Sequence, residues 1–186
     1  MKSLGVIGGL GPMASAYFLE LLIRMTDAKT DQDHLDVILF DRPAVPDRTA
    51  YILGQSRESP LPSMMETART LEKLGVANIA VTCITSHHFF RELAAAVKIP
   101  LLNIVRETAA YLRGQGIRKA GILATSGTVT TRLFQDALEE AGLSWETPSP
   151  QGQTQVMDLI YNQAKAGKPA DLEEFGAVSG ELRDKG

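Results

Sequence analysis

The sequence predicts an α/β protein built on doubly wound parallel sheets. Short apolar runs alternate with amphipathic segments of helical length along the whole chain, the pattern of parallel strands joined by crossover helices. A repeat points the same way. Gly5-Val6-Ile7 aligns with Gly121-Ile122-Leu123, Gly11 with Gly127 and Phe18 with Phe134, all at one offset of 116. Each half has a strand, a small-residue loop and a helix, and a new block after Ile99-Pro100 divides the chain into a first domain over 1–100 and a second over 101–186.

Composition narrows the function classes. The 186 residues are 44% hydrophobic and 22% charged, enough for a globular core. A net charge of −3 without a Lys/Arg cluster argues against a nucleic-acid partner. No apolar run approaches the roughly 20 residues of a membrane span. Gly5, Gly8, Gly9, Gly11 and Pro12 interrupt the first apolar run too heavily for a secretory signal. The single cysteine excludes an intrachain disulfide and suits a reducing, cytoplasmic setting.

In chain order, residues 4–8 read as a buried strand. The loop Gly9-Leu10-Gly11-Pro12 follows, then a helix over 14–26 with Tyr17, Phe18, Leu21 and Leu22 at helical spacing. The glycines do not have the dinucleotide spacing, so a small carboxylate or phosphate fits as well as a nucleotide. A strand over 36–40 leads into a long loop over 41–49, whose path Pro43 and Pro46 fix. Arg48 in that loop can grip a carboxylate bidentately or be a solvated surface cation. An amphipathic helix over 63–74, with Met64 and Met65 as core filler, ends at Gly75. The strand reaching Cys83 and a helix over 86–97 complete the first half.

The second half reads as strand 101–105, helix 107–115 and strand 119–124. The loop Thr125-Ser126-Gly127-Thr128, a helix over 131–141 and a Pro-rich connection over 145–150 come next. Helices over 153–166 and 171–184 close the chain, separated by Gly167-Lys168-Pro169.

The chemistry concentrates at Cys83, where the β-branched run Ile79, Val81 gives way to a helix that Thr85 or Ser86 can cap. A thiol at a helix N-terminus is a candidate nucleophile or proton-transfer base; the alternative is a small buried hydrophobe. Cys83 and His87, four residues apart, could share a metal, but His34 is the only histidine besides His87 and His88, and no metal is expected. A Cys–His hydrolase lacks an evident oxyanion-hole motif. His87 instead suits orienting the Cys83 loop by a hydrogen bond.

The offset adds an expectation. Applied to Arg48 it lands beside Lys165; applied to Cys83 it lands at 199, beyond the last residue. The second domain is therefore expected to be incomplete, lacking its last strand. The exposed sheet edge should favour a homodimer.

Gly5 to Met13, Pro46-Asp47-Arg48-Thr49, Thr82 to His87, Ala124 to Thr128 and Tyr161 to Lys168 together resemble the aspartate/glutamate racemases that work without pyridoxal phosphate. The resemblance covers essentially the whole chain. It implies two similar α/β domains related by a pseudo-two-fold, an active site in the cleft between them, and no cofactor. It also implies two cysteines on opposite faces of the substrate α-carbon, because inversion needs an acid and a base on opposite sides.

By position, Cys83 is then the first-domain acid/base, with Thr85 and Ser86 in the loop that grips a substrate carboxylate. Arg48 and Lys165 are charged contacts, and Thr125, Gly127 and Thr128 belong to the matching second loop. Gly11 and Met13 line the cleft floor. Ile84 stands where the family usually has an Asn that contacts the α-carboxylate, which opens the choice between aspartate, glutamate and another amino acid. The second cysteine, carried by the family in a Gly-Cys-Thr-Glu motif, is absent from these residues, so little or no racemisation is expected of the 186-residue chain. Two other functions fit: a degenerate homologue that binds a dicarboxylate without turnover, and a one-cysteine decarboxylase or isomerase like the related arylmalonate decarboxylases.

Overall fold

In the computed structural model, which describes residues 3–186, strand β1 (Ser3–Gly8) lies between two parallel neighbours, β2 (Asp36–Asp41) and β3 (Asn78–Val81). Ser3 pairs with Asp36 and Gly8 with Asp41 on one side; Leu4 pairs with Asn78 and Ile7 with Val81 on the other. Burial explains the central place of β1: Gly5 to Gly8 are all buried, whereas β2 is only half-buried and exposed at its ends.

Helices cover both faces of β1. Residues three apart on a strand point to opposite faces. A Cβ on Gly5 would stand 3.0 Å from Leu71 of α3 (Leu61–Lys73), and one on Gly8 would stand 2.7 Å from Ser15 of α1 (Pro12–Met25). Helix α3 buries Met64, Thr67, Ala68 and Leu71, the i, i+3, i+4, i+7 stripe of a core-facing helix. With Ile7, Leu10, Val76, Ile79, Val81, Phe89 and Leu93, the apolar members of that stripe form the core of the first of two compact units, Met1–Asn103. Gly75, at φ +83°, ends α3 in the left-handed conformation that glycine adopts without strain.

The rest of this unit is shorter than the sequence pattern suggests. The 41–49 loop stops at Asp47, whose carboxylate accepts the Ala50 N–H at 2.8 Å and caps α2 (Arg48–Ile52). The helix expected over 86–97 is a 3-10 turn, Thr85–Phe89, followed by α4 (Phe90–Ala95).

The second unit, Ile104–Gly186, opens with α5 (Ile104–Gly114). The strand expected over 101–105 contracts to one parallel bridge between Ile79 and Leu101, made in the first unit. Val105 and Ala109, four apart and buried, put residues 104 and 105 into the helical period instead.

Strand β4 (Lys119–Gly121) precedes α6 (Ser126–Thr130) and α7 (Leu133–Glu140). The single helix expected over 131–141 thus starts earlier and is broken at Arg132, whose φ is +56°. A strand the sequence does not announce, β5 (Ser144–Glu146), pairs in parallel with β4, Lys119 against Ser144. Pro148 and Pro150 fall after it, so the Pro-rich stretch ends the strand and does not replace it.

Helix α8 (Pro150–Asp158) is capped by Ser149 and runs into a π turn, Leu159–Ala164, so the helix expected over 153–166 changes pitch near its middle. Asp171 caps α9 (Leu172–Asp184), accepting the Glu173 and Glu174 N–H groups, and Leu182 of α9 packs on Gly121 of β4. No helix among the described residues is long and apolar enough to cross a membrane.

The 116 offset places Gly5 of β1 on Gly121 of β4, but Val6 and Ile7 on Ile122 and Leu123, which lie outside β4. The second strands begin at Asp36 and Ser144, a spacing of 108. The near-coincidence of Arg48 with Lys165 therefore does not reflect equivalent elements: Arg48 opens a capped helix, and Lys165 follows a π turn.

Candidate active site

Because β1, β2 and β3 are parallel, the loops over 9–11, 42–47 and 82–84 leave the sheet along one edge. The chain passes from β1 to β2 on one side and then to β3 on the other, so its winding reverses at β1. In open α/β sheets ligands bind outside the carboxyl ends of the strands at such a switch point. Gly9 and Cys83 stand on either side of this one.

Cys83 follows β3 by two residues and is half-buried against the core cluster. Ile84 adopts helical angles and opens the 3-10 turn without a side-chain cap. The capping role expected of Thr85 or Ser86 is thus not taken. Both lie inside the turn and are buried, and the Ser86 hydroxyl, at 0% exposure, has no hydrogen-bond partner among the described residues.

His87 turns back on the loop. Its Nδ1 lies 3.0 Å from the Cys83 carbonyl oxygen, an acceptor, so Nδ1 carries the proton and donates it. Burial lowers the His87 pKa below its ordinary 6.5, against backbone hydrogen bonds with Cys83, Ile84 and Leu102 that raise it. A depressed native value means the unfolded chain binds the proton more readily. His87 therefore contributes stability that is full above about pH 6.5 and lost as pH falls through the native value. Thermal melts from about pH 8 down to pH 5 should show Tm falling below about pH 6.5, and His87→Gln should remove part of that slope. Equal slopes in the two chains would exclude His87 as the group responsible.

On the other side of β1, Gly9 has φ +82°, and a Cβ there would stand 2.2 Å from the Arg42 amide nitrogen. Gly11 is the extended residue before α1, Pro12 is its first helical residue, and Met13 is 61% exposed. Arg48 lies beneath this loop, only 6% exposed. Nη1 donates to the Val45 and Pro46 carbonyls at 3.2 and 3.0 Å, and Nη2 donates to the Leu10 carbonyl. Nε has no partner among the described residues.

The open bidentate fork expected of Arg48 is therefore engaged in holding two loops together. Arg48→Ala strands these buried carbonyls and should cost about 2–4 kcal/mol, read as a lower urea midpoint at unchanged m-value. An unchanged midpoint would show that the loops hold without it.

In the second unit, Thr125 caps α6. Its Oγ1 accepts the Thr128 N–H at 3.3 Å and lies 3.1 Å from the Thr128 hydroxyl. Gly127 and Thr128 are buried in the same turn. Gln153, which the sequence reading passed over, donates through Nε2 to the Ala124 carbonyl at 2.9 Å and to the Ser126 hydroxyl at 3.2 Å. Lys165 belongs to another element. Its N–H donates to the Ile160 carbonyl at 2.9 Å, and its Nζ sits 3.8 Å from the Tyr161 ring centroid, a cation–π contact.

Residues 7–186 match the Asp/Glu/hydantoin racemase family. The chain belongs to that family. Among its relatives, the broad specificity amino-acid racemase RacX of Bacillus subtilis (strain 168) is 27% identical over 145 residues, 75% of this chain and 61% of RacX. The chain thus spans less than two thirds of the curated relatives it matches. Aspartate racemase of Picrophilus torridus superposes with a TM-score of 0.82 at 32% identity, covering 90% of this chain and 69% of that one. An aspartate racemase homologue from Pyrococcus horikoshii OT3 shares the fold with a TM-score of 0.72 at 24% identity, over 90% of this chain and 74% of its own.

Two further residues at this end of the sheet were given no role by the sequence alone. Ser15, 1% exposed on the first turn of α1, and Thr82, immediately before Cys83, place their hydroxyl oxygens 3.0 Å apart. The only sequence signal is a small polar residue one turn beyond the glycine loop. Among the described residues no three His, Cys, Asp or Glu side chains form a group that could hold a metal ion.

Proposed function

We propose that the protein racemises an amino acid, either aspartate, glutamate or a related one, by proton transfer at the α-carbon without a cofactor. Cys83 is the acid/base on one face of that carbon, and a second group acts from the opposite face. The observation that carries this reading is the place of the only thiol: half-buried at the carboxyl end of β3, on the switch point, in a chain of the racemase family. The names of RacX and of the Picrophilus protein support amino acids as the substrate class.

Removing a proton beside a carboxylate builds negative charge, which fixed hydrogen-bond donors stabilise. Thr85, Ser86 and the loop at Gly11 and Met13 are the first unit's substrate contacts, with Ile84 forming the apolar wall beside the thiol. Arg48 contributes its charge from beneath the loop. Thr125, Gly127, Thr128 and Lys165 are the second unit's substrate contacts. The working form is a cytoplasmic homodimer, in keeping with the exposed apolar residues Met13, Tyr17, Ile23 and Met25 along α1.

Removing and returning the α-proton in D2O leaves deuterium on that carbon. The test is proton NMR in D2O with L- and D-aspartate, L- and D-glutamate and a panel of other amino acids. Loss of the α-proton signal with at least one of them is the expected result. No exchange with any of them would sink the reading.

A further inference from the structure

The Ser15–Thr82 contact joins the two loops that flank the switch point. Ser15 Oγ accepts the Gly9 N–H at 2.8 Å, lies 3.3 Å from the Gly11 carbonyl and 3.0 Å from Thr82 Oγ1. Thr82 Oγ1 lies 3.4 Å from the Ile7 carbonyl, to which the Thr82 N–H also donates at 3.1 Å. Two hydroxyl protons serve three contacts. When Ser15 donates to Gly11, Thr82 donates to Ser15; when Ser15 donates to Thr82, Thr82 donates to Ile7.

Either setting fixes the end of β1, the glycine loop, the first turn of α1 and the residue before Cys83 as one piece. A Cβ on Gly8 would come within 2.7 Å of Ser15 Oγ, so the serine is seated against bare backbone with little room to move.

We propose that Ser15 and Thr82 are positioning residues for the Cys83 thiol. Their hydroxyl pair sets where the β3 end stands relative to the glycine loop, and so where Sγ meets a substrate carbon. The role in catalysis rests on the reading of Cys83 as an acid/base; the positional role does not. Proton transfer tolerates little error, a misplacement of about 1 Å costing on the order of a hundredfold. Thr82 also carries the only direct peptide link from this network to the thiol.

The test uses the single cysteine as its own reporter. Iodoacetamide alkylation is followed by mass across a pH series for the parent chain, Thr82→Val, Thr82→Ser and Ser15→Ala. Valine keeps the β-branched shape and removes only the hydroxyl; serine keeps the hydroxyl. The expected result is an altered alkylation profile for Thr82→Val and Ser15→Ala, with the rate changed about threefold or more, and a parent-like profile for Thr82→Ser. Where α-proton exchange is present, kcat for Thr82→Val should fall about ten- to a hundredfold with KM within about threefold, and Thr82→Ser should restore it. A merely structural role would move Tm without changing the alkylation profile or splitting kcat from KM.

Identical alkylation profiles for the parent, Thr82→Val and Ser15→Ala overturn the proposal. If Ser15→Ala fails to fold, the two Thr82 variants decide it. An altered profile in a chain that exchanges no amino-acid proton leaves the positioning role standing and removes the racemase reading.

Discussion

Replacing Cys83 with alanine should abolish α-proton exchange, with deuterium uptake by the substrate falling at least about a hundredfold, the lower end of what one positioned acid/base contributes. Stability should hardly change. Cys83 is half-buried at the border of the core cluster, so losing its sulfur should cost no more than about 1 kcal/mol. Near-equal melting curves alongside lost exchange would assign the loss to chemistry. Undiminished exchange in Cys83→Ala would move the proton transfer to another group and remove the argument from the switch point.

Gly9→Ala should be the most damaging small substitution in the first unit. The backbone there is left-handed, and the added methyl would fall 2.2 Å from the Arg42 nitrogen and 2.5 Å from its carbonyl carbon. Both obstacles are backbone, so no side-chain rotation relieves them. The left-handed conformation costs about 1–3 kcal/mol by itself, and moving the 42–43 segment aside disturbs the carbonyls that Arg48 holds. A loss of more than about 3 kcal/mol in urea unfolding is expected. By contrast, Gly54→Ala has open space and only the backbone strain to bear, so it should cost about 1 kcal/mol. Equal costs at the two positions would show that the 9–11 loop shifts freely.

Strong periodicity made β1, β2 and α3 legible: the Met64, Thr67, Ala68, Leu71 stripe and the buried run from Gly5 to Gly8 leave little choice. Cys83 and the glycine loop were legible for another reason, since both sit where strands end. Three-residue β5 was not, because a prolyl connection and a short strand look alike when one apolar residue, Trp145, is all that shows. Leu101 to Val105 misled because β-branched residues also fit a helix whose buried face is Val105 and Ala109.

The Ser15–Thr82 contact spans 67 residues and is invisible to any local pattern. Arg48 was readable as a cation near the site. That its guanidinium is bonded to carbonyls follows only from where the Leu10 and Val45 backbones come to lie.

The central place of β1 has a consequence for how the chain acquires its structure. Its ladders join Ser3 to Asp36 and Leu4 to Asn78, so both neighbours are made after it and neither is local. Closing the longer loop adds only modestly to the entropic cost of closing the shorter, yet contacts so distant along the chain form slowly, on the scale of milliseconds to seconds. During synthesis β1 must wait, unsatisfied along one edge, until β3 has emerged. Cys83 comes out of the ribosome directly behind β3. Of the three strands, β1 is made first, and it gains its second partner only with the last of them.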